Sequence, residues 1–138
     1  MSQARPPHLR APLLGLVFLG GATGTLARWA VGLAVPHLGR VPVATVLVNV
    51  VGAFVLGALL ERLARGGPDE GRRRAVRLTL GTGFCGGFTT YSALAHETDA
   101  LLRAGLEGRA LAYVLGSLLL GLTASALGVA LARRSRPA

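Results

Sequence analysis

Apolar residues fall into four long runs separated by short polar connections. The first extends from Ala11 to Val35, interrupted only by Arg28, and the second from Val41 to Leu60. The third begins near Leu78 and stays apolar to Ala95, and the fourth extends from Ala110 to Ala132. Each is close to the roughly 20 residues that a helix needs to cross a hydrocarbon core about 30 Å thick. The pattern predicts an all-α membrane protein of four transmembrane helices, at about 11–35, 41–60, 78–102 and 110–132. These form one four-helix transmembrane domain over 11–132, between an N-terminal tail (1–10) and a basic C-terminal tail (133–138). The connections are too short to hold a soluble domain.

Composition agrees with the pattern. A chain of 138 residues that is 51% hydrophobic, with mean hydropathy +0.54, carries more apolar surface than a soluble domain of that size can bury. The formal net charge of +9 raises nucleic-acid binding as a reading. It is set aside because no aromatic residues interleave the basic ones, and every Arg except Arg28 lies outside or at the edge of an apolar run. A single cysteine, Cys85, makes no intrachain disulfide and reads as a small packing residue. The first run, preceded by Arg5 and Arg10, resembles a signal peptide, but it continues too far and contains Arg28, so a retained helix is expected.

Arginine placement predicts orientation. With the N-terminus inside, the inner side carries Arg5, Arg10, Arg62, Arg65, Arg72, Arg73, Arg74, Arg77, Arg133, Arg134 and Arg136, and the outer side only Arg40, Arg103 and Arg109. Eleven against three places both termini in the cytoplasm of a cell with this protein in its inner (plasma) membrane, by the positive-inside rule.

The third run is the unusual one. From Gly81 to Gly87 four of seven residues are glycine, and the hydroxyl residues Thr89, Thr90, Tyr91 and Ser92 follow. Glycine weakens helical backbone, and unwound backbone inside a membrane persists only where protein or a watery cavity meets its carbonyls and amides. Converging carbonyls would suit a cation, and half-helix N-termini an anion. The alternative is that these glycines simply let helices approach closely. Composition leaves both readings open.

Other polar groups lie where polarity is costly. Asn49, near the middle of the second run, offers amide donors to an anion or a hydrogen bond to a neighbouring helix. Arg28 needs helix-end carbonyls, a carboxylate or a watery vestibule; structural pairing is the preferred role, with anion attraction second. Tyr113 and Ser117, four apart, share one face of the fourth helix. Gly116, Gly121, Ser125 and Gly128 read as packing residues. Glu97, Asp99 and His96 lie together towards the end of the third span, with His96 interfacial. No His pair, metal-spaced Cys and His or paired carboxylates occur within the spans, so an enzyme is not expected.

Three motifs carry a resemblance to a known family. Gly20-Gly21-Ala22-Thr23-Gly24-Thr25-Leu26-Ala27-Arg28-Trp29 resembles the first-helix pattern of the small fluoride channels called Fluc or CrcB. Thr45 to Asn49, followed by Gly52, Phe54 and Gly57, is similar to their second-helix signature, with Ala44 where a Gly is usual. Gly83-Phe84-Cys85-Gly86-Gly87-Phe88-Thr89-Thr90-Tyr91-Ser92, followed by Glu97, is similar to the break in their third helix.

The resemblance implies a fluoride-specific channel subunit giving passive efflux, in a dual-pore dimer of antiparallel subunits with the third helix broken mid-membrane. It implies a structural, untransported Na⁺ held by the backbone carbonyls of Gly86 and Thr89. The implied pore-lining residues are Asn49, Thr90, Tyr91, Ser92, Leu94, Tyr113 and Ser117. The sequence departs from the pattern in one respect: where the family has two pore phenylalanines spaced by three, it has Tyr91 and Leu94. Leu94 has no ring edge to offer, so a pore lined by this chain would be weakened or silent. The arginine bias adds a second consideration, since one sequence inserted in both orientations calls for little bias. The alternatives to a homodimeric channel are therefore a weakly or non-conducting partner in a heterodimer with an oppositely oriented homologue, and a small four-helix transporter. The transporter would need a membrane carboxylate, and the first two runs have none before Glu61.

Overall fold

A computed structural model describes residues 11–35 and 42–135. The orientation argument's Arg5, Arg10, Arg40 and Arg136 lie outside the described residues. The described chain is all helical: α1 (Ala11–Ala34), α2 (Val43–Arg65), α3 (Gly71–Val76), a π-helical stretch (Arg77–Cys85), one further helical turn, α4 (Gly86–Phe88), then α5 (Tyr91–Arg103) and α6 (Glu107–Arg134). At 1.5 Å per residue, α1, α2 and α6 are about 36, 35 and 42 Å long. These three are long and apolar enough to cross a membrane. Over residues 78–102 no single helix of that length occurs: Thr89 (φ −84°, ψ 160°) and Thr90 (φ −151°, ψ 120°) are extended between α4 and α5.

Burial is inverted relative to a soluble protein. Phe18, Trp29, Leu33 and Leu122 are each at least 65% exposed, and Val48 is the largest fully buried side chain. What lies between the helices is glycine. A Cβ on Gly24 would fall on the carbonyl of Phe84, one on Gly20 on the carbonyl of Thr79, and one on Gly87 on the carbonyl of Gly21. A Cβ on Gly83 would stand 2.8 Å from the Val17 oxygen. Glycines on both partners thus let α1 and the π-helical stretch with α4 pack backbone to backbone. As residue number rises along α1 it also rises along its partner, so the two run parallel. The same device joins α2 to α6: a Cβ on Gly57 would lie 2.5 Å from the Ser125 oxygen, and one on Gly128 on the Phe54 carbonyl. These two helices are parallel as well. Close approach of this kind, not expulsion of water, holds apolar helices together in lipid.

Gly83 and Gly87 of the third run therefore act as contact residues, Gly86 does not, and none of the run's glycines has a left-handed φ; positive φ occurs at Gly67, Gly71 and Gly105, in the connections. Of the fourth-helix residues read as packing, Gly128 and Ser125 pack, whereas a Cβ on Gly116 or Gly121 would meet nothing within 4 Å.

Arginines cluster at one end of the bundle. Arg65 donates to the last carbonyls of α6, at Ala132 (3.1 Å) and Arg133 (2.7 Å), and Arg133 pairs with Glu61 at 3.1 Å. These contacts satisfy carbonyls that a helix end leaves open. In the α2–α3 connection Arg77 holds Asp69 through two hydrogen bonds, of 2.9 and 2.8 Å. Those bonds, opposed by partial desolvation and aided by Arg77 and Arg74 charge, hold the Asp69 carboxyl below its ordinary range. A depressed folded pKa means that this contribution is present in full above the unfolded carboxylate value. It is lost as pH falls through the folded value, at the acid edge of that range.

Gly24→Val places a branched side chain on the Phe84 backbone, and overpacking of this kind costs about 1–3 kcal/mol or more. The expected outcome is a fall in thermal stability in detergent and loss of the monodisperse peak. Gly32→Ala, where a Cβ meets nothing within 4 Å, leaves both unchanged.

Candidate functional site

The interruption at Thr89 and Thr90 is held from a neighbouring helix. Asn49 of α2 donates from Nδ2 to the Thr90 carbonyl at 3.0 Å, and its Oδ1 accepts from the Thr90 amide at 2.8 Å. One primary amide thus satisfies both backbone groups of an extended residue, which only Asn and Gln side chains can do in this way. Of the two roles open for Asn49, the interhelical one is occupied; the second Nδ2 hydrogen is left over. Thr90 is also the N-cap of α5, its Oγ1 accepting from the Ala93 amide at 3.1 Å and lying 3.2 Å from the Ser92 hydroxyl. Thr89 closes the end of α4, with its amide (2.9 Å) and Oγ1 (2.8 Å) both donating to the Cys85 carbonyl. A Cβ on Gly52 would meet the Thr89 methyl group, so α2 approaches the interruption closely at this point.

Backbone accounting singles out two oxygens. The Thr90 amide, which would ordinarily return to Gly86, goes to Asn49, and the Ala93 amide, which would return to Thr89, goes to Thr90 Oγ1. Among the described residues no hydrogen bond reaches the carbonyls of Gly86 or Thr89. Gly86 is exposed, and a Cβ there would meet nothing within 4 Å. Two carbonyls three residues apart and without donors could supply oxygen ligands to a hard cation. Among the described residues no group of three His, Cys, Asp or Glu side chains gathers to hold a metal.

Beside the interruption lies an open groove of about 430 Å³ between α2, α5 and α6. Asn49, Thr90, Tyr91, Leu94 and Ser117 contribute to it, together with Gly121 and Ser125. Tyr91 is 82% exposed, whereas Leu94 is only 8% exposed and packs with Leu101, Ala110 and Tyr113 in the apolar core cluster of the α5–α6 hairpin. Leu94 is therefore mainly a core residue with an edge in the groove wall. Ser92 is exposed at the first turn of α5, outside the groove lining. The N-terminal amides of α5 carry the positive end of its dipole towards this region.

Tyr113 also lies outside the groove lining. It is 6% exposed, and its hydroxyl donates to Glu97. Glu97 accepts a second bond, of 2.7 Å, from Thr45, so a carboxylate joins α2, α5 and α6 behind the groove. Ser117 donates at 2.7 Å to the Tyr113 carbonyl. The sequence alone does not single out Glu97 and Thr45 as site residues. The available signal is a hydroxyl one turn before Asn49 and an acid about two turns past Thr90, at spacings that put them on the inner faces of their helices. Arg28, in α1, makes neither a hydrogen bond nor an ion pair among the described residues, so the pairing expected for it is not supplied by them.

Comparison with known proteins shows the family of the chain. Residues 15–129 match the family described as "CrcB-like protein, Camphor Resistance (CrcB)". The chain is 51% identical over 126 residues to "Fluoride-specific ion channel FluC 2" of Leifsonia xyli subsp. xyli, covering 91% of this chain and 87% of that one. It is 51% identical over 113 residues to "Fluoride-specific ion channel FluC 1" of Cutibacterium acnes, covering 81% and 79%. It is 47% identical over 115 residues to "Fluoride-specific ion channel FluC" of Thermus thermophilus, covering 82% and 89%. A family match across most of the chain, and relatives near half identity over most of both lengths, make this chain a member of the CrcB-like family.

Proposed function

We propose that the chain is a subunit of a fluoride-specific channel, through which fluoride leaves the cytoplasm down its gradient. The observation that carries this is the identity of about half, over most of both chains, to proteins named fluoride-specific ion channels. The groove supports it. Fluoride is small and strongly hydrated, and it must exchange water for hydroxyl and amide donors as it dehydrates. The spare Asn49 hydrogen, the exposed Tyr91 and Ser92 hydroxyls and the free amides of α5 are donors of that kind. Tyr91 also brings a ring edge, the positive part of an aromatic quadrupole. Thr45, Glu97 and Tyr113 position the wall; the Ser117 hydroxyl completes it.

In this reading the segment from the π-helical stretch through α5 is a third membrane span broken at Thr89 and Thr90, and the protein is a dual-pore dimer of antiparallel four-span subunits. The groove, open along its side, is the half of a pore that a second subunit closes. Na⁺, bound by the Gly86 and Thr89 carbonyls of both subunits, would neutralise four inward-facing oxygens and fix the two breaks against each other. The arginine-rich end lies in the cytoplasm, with both termini. Eight described arginines at that end, against Arg103 and Arg109 at the other, favour a heterodimer with an oppositely biased homologue. The buried Leu94 supports the related reading that this chain lines its pore less effectively than its partner does.

Fluoride efflux from liposomes holding the purified chain alone, read by a fluoride electrode with the potential clamped by a potassium ionophore, tests the function. Rapid efflux without chloride efflux establishes a homodimeric channel. Efflux that begins only when an oppositely biased homologue is co-reconstituted establishes the heterodimer. No fluoride flux in either preparation of folded protein overturns the proposal.

Asn49 separates channel from scaffold. Asn49→Asp puts an acceptor against the Thr90 carbonyl and a negative charge beside the anion path, and efflux is expected to cease. Asn49→Leu removes both bonds to Thr90. Leaving a buried pair unsatisfied costs about 1–3 kcal/mol per group, so hydrogen exchange at the Thr90 amide should accelerate by at least tenfold. Normal efflux from Asn49→Asp, with unchanged exchange in Asn49→Leu, would remove Asn49 from both roles.

A further inference from the structure

A second groove lies at the other flank of the bundle, at its arginine-rich end. It measures about 410 Å³ and is lined by Leu13, Leu14 and Val17 of α1, Leu78 of the π-helical stretch, and Asp69, Arg74 and Arg77. Its floor is apolar and faces outward, with Leu14 53% exposed. Its mouth is cationic. Asp69 engages Arg77 bidentately and lies 3.6 Å from the Arg74 Nε. Arg74 also donates at 2.9 Å to the Asp69 backbone carbonyl. Two guanidiniums held by one carboxylate leave a net positive charge and several unused N–H donors, in a geometry fixed by those bonds rather than by flexible side chains. Arg72 and Arg73 lie on the same helix as Arg74.

We propose that this groove binds an anionic phospholipid, one acyl chain lying along Leu13, Leu14, Val17 and Leu78 and the phosphate resting on Arg74 and Arg77. The inference rests on the membrane reading of the helices but not on channel activity. Charge complementarity identifies the occupant: a fixed cationic mouth directly above an outward apolar floor, at the level where a bilayer places its headgroups, matches a molecule with phosphate at one end and hydrocarbon at the other. A zwitterionic lipid fits the floor equally but adds a cation that the two arginines repel. Asp69 has a definite part in this arrangement. It carries less charge than the arginines it organises, so it positions the phosphate-binding donors while leaving their sum positive.

Native mass spectrometry of the full-length protein from detergent, incubated with phosphatidylglycerol or with phosphatidylcholine of the same acyl chains, tests this. Retention of phosphatidylglycerol should exceed that of phosphatidylcholine by about fivefold, the effect of about one arginine at an anionic surface. Arg74→Gln should abolish the preference, whereas Arg72→Gln, at the same end but outside this groove, should preserve it. Leu14→Trp fills the floor and should reduce retention of both lipids. If Arg74→Gln does not fold, the Leu14→Trp and Arg72→Gln pair decides the matter alone. Equal retention of the two lipids, or an equal loss from the Arg72 and Arg74 variants, would overturn the site in favour of diffuse charge. So would disulfide cross-linking between chains through Leu14→Cys, which would make a second copy the occupant.

Discussion

The two hydrogen bonds between the Asn49 side chain and the Thr90 backbone are the interaction on which the rest depends. An extended residue surrounded by apolar helices leaves an amide and a carbonyl unmet, and in lipid no water takes them. Asn49 meets both. Because it does, the chain can leave the helix at Phe88, cap a new helix at Thr90 and aim α5 towards α6. The direction of α5 in turn sets Leu94 and Leu101 against Ala110 and Tyr113 of α6, and brings Glu97 within reach of Thr45 and Tyr113. Asn49 and Thr45 are one turn apart on α2, so a single helix face anchors the interruption and the carboxylate behind it.

The second requirement is that α2 and its neighbours lie close enough for so short a side chain to reach. Glycine supplies this at two helix pairs and at the interruption: Gly20 and Gly24 against the backbone of Thr79 and Phe84, Gly57 against Ser125 and Gly128 against Phe54, and Gly52 against Thr89. Large side chains point outward, where they meet acyl chains at no cost, and small ones point inward. Mean hydropathy therefore says little about what is in the core; Val48 is the largest residue fully enclosed. Dispersion between closely packed backbones and a few polar pairs carries the stability that burial of leucine and phenylalanine carries in water.

Much of this was legible from pattern. The four apolar runs located the helices to within a few residues, although α2 extends to Arg65 and α6 starts at Glu107, because charged residues continue a helix beyond the apolar stretch. Asn49 stood out as an amide in an apolar run. The interruption was legible only as a segment: four glycines followed by hydroxyl residues, over residues 81–92, were expected to disturb the helix, and within that segment the backbone extends at Thr89 and Thr90. Glycine tolerates many conformations, so its presence leaves open whether flexibility or smallness is being used, and here smallness decides. Glu97 was obscure for a related reason. An acid near a helix end reads as solvent-facing until the partners that meet it, 52 residues earlier and 16 later, are brought together by the fold.

Charge segregation constrains how such a subunit can pair. Arg62, Arg65, Arg72, Arg73, Arg74, Arg77, Arg133 and Arg134 share one end, and Arg65 and Arg133 are committed there by bonds that cap α6 and hold Glu61. Two of these arginines are thus part of the helix-end structure. Antiparallel pairing of two copies would set that end on opposite faces of the membrane, sending the basic cluster of one copy across it. A partner whose arginines lie at the opposite end of an otherwise similar bundle meets the same groove, the same open carbonyls of Gly86 and Thr89 and the same exposed Tyr91 without that cost. The groove and the exposed Tyr91 would have to be met by a partner, while the arginine-rich end favours one orientation. In the dimer proposed above, a related subunit with the opposite arginine bias would satisfy both.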